Sequence, residues 1–394
     1  MNDNHQTSTR QIMTTLIVSN LILTFGFQVW RTVFNNLAVE DLGIEAVAVG
    51  AIQSIREVPG LIGFLFVLMV ALLGSELRTM GVNIIVLGLG TVLSGLSRDY
   101  LTLALGTLVA SIGFHYFYSG SQAVLLQVTA SKETPRALGR LSSAGAFGSI
   151  LATLVVAGSA LVLNNRSIMI LGGTLVIIAG LALLPRMNAP GRYAQKSNGA
   201  RESMRRDYWL YYALTFLMGT RRHIFTTFAI FLLVRIHGLQ TWQTAILFFV
   251  NSVVSFLALP QLGRLVGRFG ERRMLAFNFL CLMGIFTGYA TIHSTLILIG
   301  LFVLDNVFFG FNLAVNSYFQ KIALMPEDIT PNMSVGQSIN HVAAVIIPLA
   351  GGWLWETFDP AMPFLAGVVV AFISLALTFW MRQPAKEVAW SPVG

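Results

Sequence analysis

Phe25-Gly-Phe-Gln-Val-Trp-Arg-Thr-Val-Phe-Asn-Asn36 lies late in the first long apolar segment and carries an arginine, Arg31, inside a run that otherwise suits lipid. The pattern returns in the second half of the chain. Arg31-Thr-Val-Phe-Asn-Asn36 aligns with Arg222-His-Ile-Phe-Thr-Thr227. Both copies read arginine, polar, aliphatic, phenylalanine, polar, polar, and each lies in the first apolar segment of its half. Charged groups inside membrane segments are costly and tend to face a cavity or a partner. The duplicated arginine therefore marks both an internal repeat and a candidate site.

Composition agrees with a membrane setting. The 394 residues are 55% hydrophobic and 11% charged, against about 25% charged for soluble domains. Hydrocarbon about 30 Å thick calls for roughly 20 apolar residues per helix. On that measure the chain holds twelve spans, near 12–37, 44–72, 82–97, 100–128, 141–163, 167–185, 208–234, 241–262, 273–293, 296–323, 334–355 and 361–381. The runs are unbroken rather than alternating in short segments, which predicts helices and not a barrel. The polar start Met1–Arg10 and the length of the following segment argue against a cleavable signal peptide. The net charge of +8 is spread over short loops, so it does not indicate nucleic-acid binding.

With the N-terminus in the cytoplasm, eighteen basic residues fall at cytoplasmic ends and three (Arg98, Arg166 and Arg235) at outer ends. This positive-inside bias places both termini in the cytoplasm, as in a bacterial inner-membrane protein. The polar stretch 186–207 reads as a cytoplasmic linker between halves 1–185 and 208–394. Thr134-Pro135 recurs as Thr330-Pro331, and the loop Gly74–Gly81 pairs with Gly263–Gly270. Two six-helix halves in parallel repeat are a known transporter plan, with the site near the midplane between them.

Gly263-Arg-Leu-Val-Gly-Arg-Phe-Gly-Glu-Arg-Arg273 resembles the signature loop of the major facilitator superfamily, Gly-x-Leu-x-Asp-Arg-x-Gly-x-Arg. Gly263, Leu265, Arg268, Gly270 and Arg272 match, while Gly267 replaces the aspartate. The copy at 74–81 keeps Gly74 and Gly81 but departs at Glu76 and Arg78. The resemblance implies an all-α fold of twelve transmembrane helices in two pseudo-symmetric halves, with this loop acting in conformational control. It further implies that helices 1, 4, 7 and 10 line a cavity, that 2, 5, 8 and 11 meet between halves, and that 3, 6, 9 and 12 face lipid.

The intramembrane ionisable residues are Arg31, Arg56, Glu57, His115, Arg221, Arg222, His223, Asp305 and His341. Four arginines against two acids favour an anionic ligand, which guanidinium grips in bidentate fashion. The expected substrate site comprises Arg31, Arg222, Gln28, Asn35, His115, Gln122, Asn312 and Asn316. Basic residues on helices 1 and 7 also hold phosphate in the superfamily's organic phosphate/phosphate antiporters, a resemblance of placement. The competing reading is that the arginines cap carbonyls or pair with Asp305. Arg221 and Arg222 point about 100° apart, and the repeat selects Arg222 for the cavity. Glu57, Arg56, Asp305 and His341 are the candidates for proton coupling or gating, with a purely structural ion pair as the alternative.

No phosphate-binding loop, zinc-protease motif, nucleophile elbow or cysteine pair occurs. Neither a cofactor nor a metal is expected, and ATP-driven transport is not encoded. The expected partners are the bilayer, a small anionic substrate and protons or an exchanged solute. The resulting expectation is secondary transport of a phosphorylated or carboxylated metabolite by alternating access. Proton-driven efflux of amphiphilic drugs and a non-transporting sensor are the alternatives.

Overall fold

The computed structural model describes residues 2–63, 65–129, 134–187, 205–325 and 328–381, all of them helix or connection with no strand. Residues 188–204, the body of the expected linker, lie outside this set.

The helices of the first half are α1 (Asn2–Asn36), α2 (Ala46–Leu61), α3 (Leu65–Leu73), α4 (Glu76–Leu96), α5 (Tyr100–Val128), α6 (Thr134–Ser159) and α7 (Asn165–Leu183). The second half holds α8 (Trp209–Arg235), α9 (Thr241–Phe269), α10 (Glu271–Thr291), α11 (Thr295–Phe308), α12 (Asn312–Ile322), α13 (Ile329–Thr357) and α14 (Met362–Thr378). Nine helical segments among the described residues are long and apolar enough to cross a membrane, and α2 with α3, bent by 61° between them, count as a tenth only if the pair is one broken span. The other two expected spans coincide with α9 and with α14, which at 17 residues is short for a crossing.

Local chemistry sets the boundaries. The tight connection before α5 works because Asp99 accepts from the Thr102 amide at 2.8 Å while the Thr102 hydroxyl reaches back, a reciprocal cap. Pro59 lies in the last turn of α2, just before that helix ends. The tenth expected span is broken at mid-depth, where Phe309–Phe311 tighten into a 3₁₀ turn between α11 and α12. Gly74 and Gly270 both take positive φ, 80° and 83°, in the turns that lead into α4 and α10. They are the equivalent turns of the two halves. This corrects the register that paired Gly81 with Gly270: Gly81 and Gly263 both lie inside helices.

α8 is buried along most of its length, stacked through Phe228 and Phe231 on Trp355 of α13 and through Phe225 on Phe302 of α11. The halves meet mainly where α2 runs against α13 and α6 against α9. Near the end of the first contact that lies opposite the termini, a Cβ on Gly50 would lie 2.1 Å from the Pro348 carbonyl oxygen, so only glycine permits that approach. Four side-chain links join the halves at the face opposite the termini. Asn36 Nδ2 donates to the Leu239 carbonyl at 2.7 Å, and Glu356 accepts from the Val47 amide at 2.6 Å. Thr241 donates to Asn165, and Arg235 pairs with Glu45. Among the described residues no such link occurs at the terminal face. Among the described residues, then, the side-chain links between the halves gather at the face opposite the termini.

Candidate functional site

Between the halves lies a cavity with two contiguous lobes of about 250 and 350 Å³. Both are lined by Arg31, Phe248, Asn251, Ser255 and Asn306. The first lobe adds Arg222, Thr226, Phe225, Phe302, Phe309 and Gly310, and the second adds Gln28, Ser142, Ser143 and Ser149. Ser142 and Ser143 sit two turns into α6 from the terminal face, so the cavity extends from mid-depth toward that face.

Arg31 comes from α1 and Arg222 from α8, one from each half. Neither forms an ion pair with a described carboxylate. Their charges act on each other and on Arg56, and the Glu57 carboxylate acts on Arg222 from a distance without pairing with it. Arg31 lies 5.0 Å from the Phe248 ring centre and Arg222 lies 5.2 Å from that of Phe309. Arg222 is solvent-accessible and lines the first lobe of the cavity. Its neighbour Arg221 is 1% exposed and bonds Asp305 Oδ1 at 2.9 Å, with Phe309 4.5 Å below it. Asp305 borders the cavity but is itself 0% exposed and occupied by Arg221.

Beside the cavity, Glu57 forms a second centre. Arg56 Nη2 meets Glu57 Oε1 at 2.5 Å, and Glu57 Oε2 lies 3.3 Å from His341 Nδ1 and 3.7 Å from His115 Nε2. Arg56 also stacks over Trp30 at 5.7 Å.

The expected residues thus separate into groups. Arg31, Arg222 and Gln28 line the cavity, whereas His115, Glu57, Arg56 and His341 form the neighbouring centre. Asn35 is buried near the face opposite the termini, and Gln122, Asn312 and Asn316 line neither lobe. Gly263 and Arg268 belong to the last turns of α9, Gly270 is the turn itself and Arg272 begins α10, stacked on Phe379 at 5.6 Å. Several lining residues were not expected: Phe248, Asn251 and Ser255 on α9, Asn306 on α11 and the serines of α6. Their spacing carries a signal. Asn251 and Ser255 stand four apart, and Ser142 and Ser149 seven apart, on faces that lipid would leave apolar.

The family model for the Major Facilitator Superfamily matches residues 16–328. The chain belongs to the major facilitator superfamily. It is an integral membrane protein of a transporter family. Multidrug resistance protein 1 of Bacillus subtilis (strain 168) is 23% identical over 316 residues, spanning 74% of this chain and 76% of that protein. Among solved structures, the chain resembles a bacterial homologue of the human lysosomal transporter Spinster in an inward-facing, occupied conformation. That likeness has a TM-score of 0.74 at 15% identity and covers 97% of this chain and 98% of the other. The nucleoside transporter NupG gives 0.75 at 15% identity, with 94% and 98% covered. These likenesses establish the shared fold, and they fit the two-halved helical plan that the repeat predicted.

Proposed function

We propose that this transporter carries a small organic anion, phosphorylated or carboxylated, by alternating access, coupled to protons or to an exchanged anion. The observation that carries the reading is the pair Arg31 and Arg222, one from each half, lining one cavity without a carboxylate partner. An anion between them supplies the missing charge and draws on both halves at once. Charge-assisted hydrogen bonds of this kind are worth about 1.5–3 kcal/mol each. Asn251, Ser255, Asn306, Thr226 and Gln28 supply neutral donors and acceptors for the remainder of the substrate. The aromatic shelves Phe248 and Phe309 keep the guanidinium planes in place.

The test is flux and binding of phosphorylated and carboxylated metabolites in vesicles, comparing the parent with Arg31→Ala and Arg222→Ala. Loss in both variants is expected. Undiminished binding and transport in both would sink the reading.

A second reading, efflux of amphiphilic compounds, is favoured by the aromatic wall of Phe225, Phe248, Phe302 and Phe309 and by the name of the Bacillus relative. It predicts that a host lacking its own pumps gains protection against cationic dyes. The two cavity arginines oppose that outcome, because they repel cations.

A further inference from the structure

The centre beside the cavity has a composition that anion binding does not use. We propose that Glu57, His115 and His341 form a site for a divalent zinc-class cation that ties the two halves together in this arrangement.

The donors come from three helices and both halves: Glu57 from α2, His115 from α5 and His341 from α13. One ligand atom from each lies within 4.8 Å of the other two. Tetrahedral zinc holds nitrogen and oxygen ligands at about 2.0–2.2 Å, which places neighbouring ligand atoms about 3.3–3.6 Å apart. The 3.3 and 3.7 Å separations already meet that spacing. Rotation about side-chain bonds closes the remaining one.

The donor set is selective. Two imidazoles and a carboxylate suit zinc and the late first-row divalent ions, whereas magnesium and calcium call for oxygen ligands throughout. The outer contacts that orient such ligands are also present. Ser111 Oγ lies 3.0 Å from His115 Nδ1, leaving Nε2 turned to Glu57. Arg56 holds Glu57 Oε1 and leaves Oε2 for the ion. Gly60 of α2 makes room for the ring of His341, since a Cβ there would stand 2.4 Å from it. The side chains are 10% to 21% exposed, so water can deliver an ion and fill its open position.

Charge opposes the ion. Arg56 adjoins the site, and Arg222 lies within electrostatic reach of Glu57. The site is therefore weaker than the closed structural zinc sites of small domains. Its consequence is mechanical. His341 belongs to the half that must rock against Glu57 and His115, so an ion held by all three resists the exchange of states and inhibits flux.

The inference goes beyond the anion reading and needs only the transporter fold. The experiment titrates tag-free, full-length protein in detergent with zinc chloride, following heat of binding and thermal stability, and repeats the titration with His115→Ala, His341→Ala and Glu57→Gln. One saturable zinc ion and a raised Tm are expected for the parent, with affinity falling at least about 10-fold in each variant. Unchanged affinity in the histidine variants, or no saturable binding to the parent, overturns the proposal. Should a variant fail to fold, cobalt chloride bound to the parent decides. Intense visible bands of four-coordinate cobalt support the site, and the weak spectrum of six-coordinate cobalt overturns it. Arg222→Ala separates the two proposals, because it weakens anion binding while leaving zinc binding intact or tighter.

Discussion

Arg221 and Arg222 are adjacent in sequence and share the ring of Phe309, yet they have opposite surroundings. Arg221 turns into the packed second half, is 1% exposed and has its charge met by Asp305. Arg222 turns into the cavity and faces Arg31 across it, with no paired carboxylate. A rotation of about 100° on one helix separates a structural ion pair from a ligand site. The general lesson is that an intramembrane arginine is functional in the degree that its charge is left for something mobile to meet.

The comparison breaks most sharply if Arg221 is made to resemble Arg222. Asp305→Asn leaves Arg221 buried beside a neutral group. Removing one member of a buried pair costs about 3–5 kcal/mol, so a large drop in thermal unfolding temperature is expected in detergent. The double change Arg221→Met with Asp305→Leu should recover most of that loss, since an apolar pair of similar volume replaces the ions. A double variant as unstable as Asp305→Asn would contradict the account of the pair.

Next in size is the removal of the unpaired charge. Arg222→Ala is expected to weaken binding of the transported anion by about 10- to 100-fold, read by isothermal titration or competition. Its unfolding temperature should stay within a few degrees of the parent, unlike that of Asp305→Asn. Equal loss of stability in the two variants would erase the distinction between the neighbours.

The reverse manoeuvre gives Arg222 a carboxylate. Thr226 lies one turn along α8, lines the same lobe and donates to the Arg222 carbonyl at 2.9 Å. Thr226→Glu should occupy Arg222 as Asp305 occupies Arg221, lowering anion affinity about 10-fold with little change in stability. Unaltered affinity would show that Arg222 is not a ligand.

The smallest effect concerns an ion pair outside the membrane segments. The Tyr208 hydroxyl and then Arg205 hold the Asp328 carboxyl below the usual carboxylate range. A depressed folded value means that the stabilisation is present at neutral pH and fades as pH falls through that value. The melting difference between the parent and Asp328→Asn should therefore be small at pH 7 and vanish in acid. A difference that grows on acidification would reverse the sign.

Much of this architecture was legible in the sequence because its signals are coarse. Long apolar runs, a basic-residue bias and a repeated arginine survive the loss of all three-dimensional detail. The cavity wall was less legible. Asn251, Ser255, Asn306 and the serines of α6 are small neutral groups, which membrane helices carry cheaply and often bond to their own backbone. The helix map also assigned α6 and α9 to the contact between halves, which drew attention away from their polar faces. The competing reading named Asp305 as an arginine's partner, and the structure gives that partner to Arg221, 84 positions away, and not to Arg222. The meeting of Glu57 with His341 was legible only through the map that set their helices together.

The four links at the face opposite the termini set a scale for the transporter's working energy. Three are hydrogen bonds of neutral or singly charged groups, and Arg235–Glu45 is an exposed pair. Such contacts contribute about 0–3 kcal/mol apiece, the bond to the Glu356 carboxylate most, and together a few kcal/mol when they part. One elementary charge moved through 100 mV of membrane potential yields about 2.3 kcal/mol. The seal is therefore of the same order as the transit of a single ion. An electrical gradient across the bilayer can decide which side of this protein stands open only where one charge crosses it with the change of state.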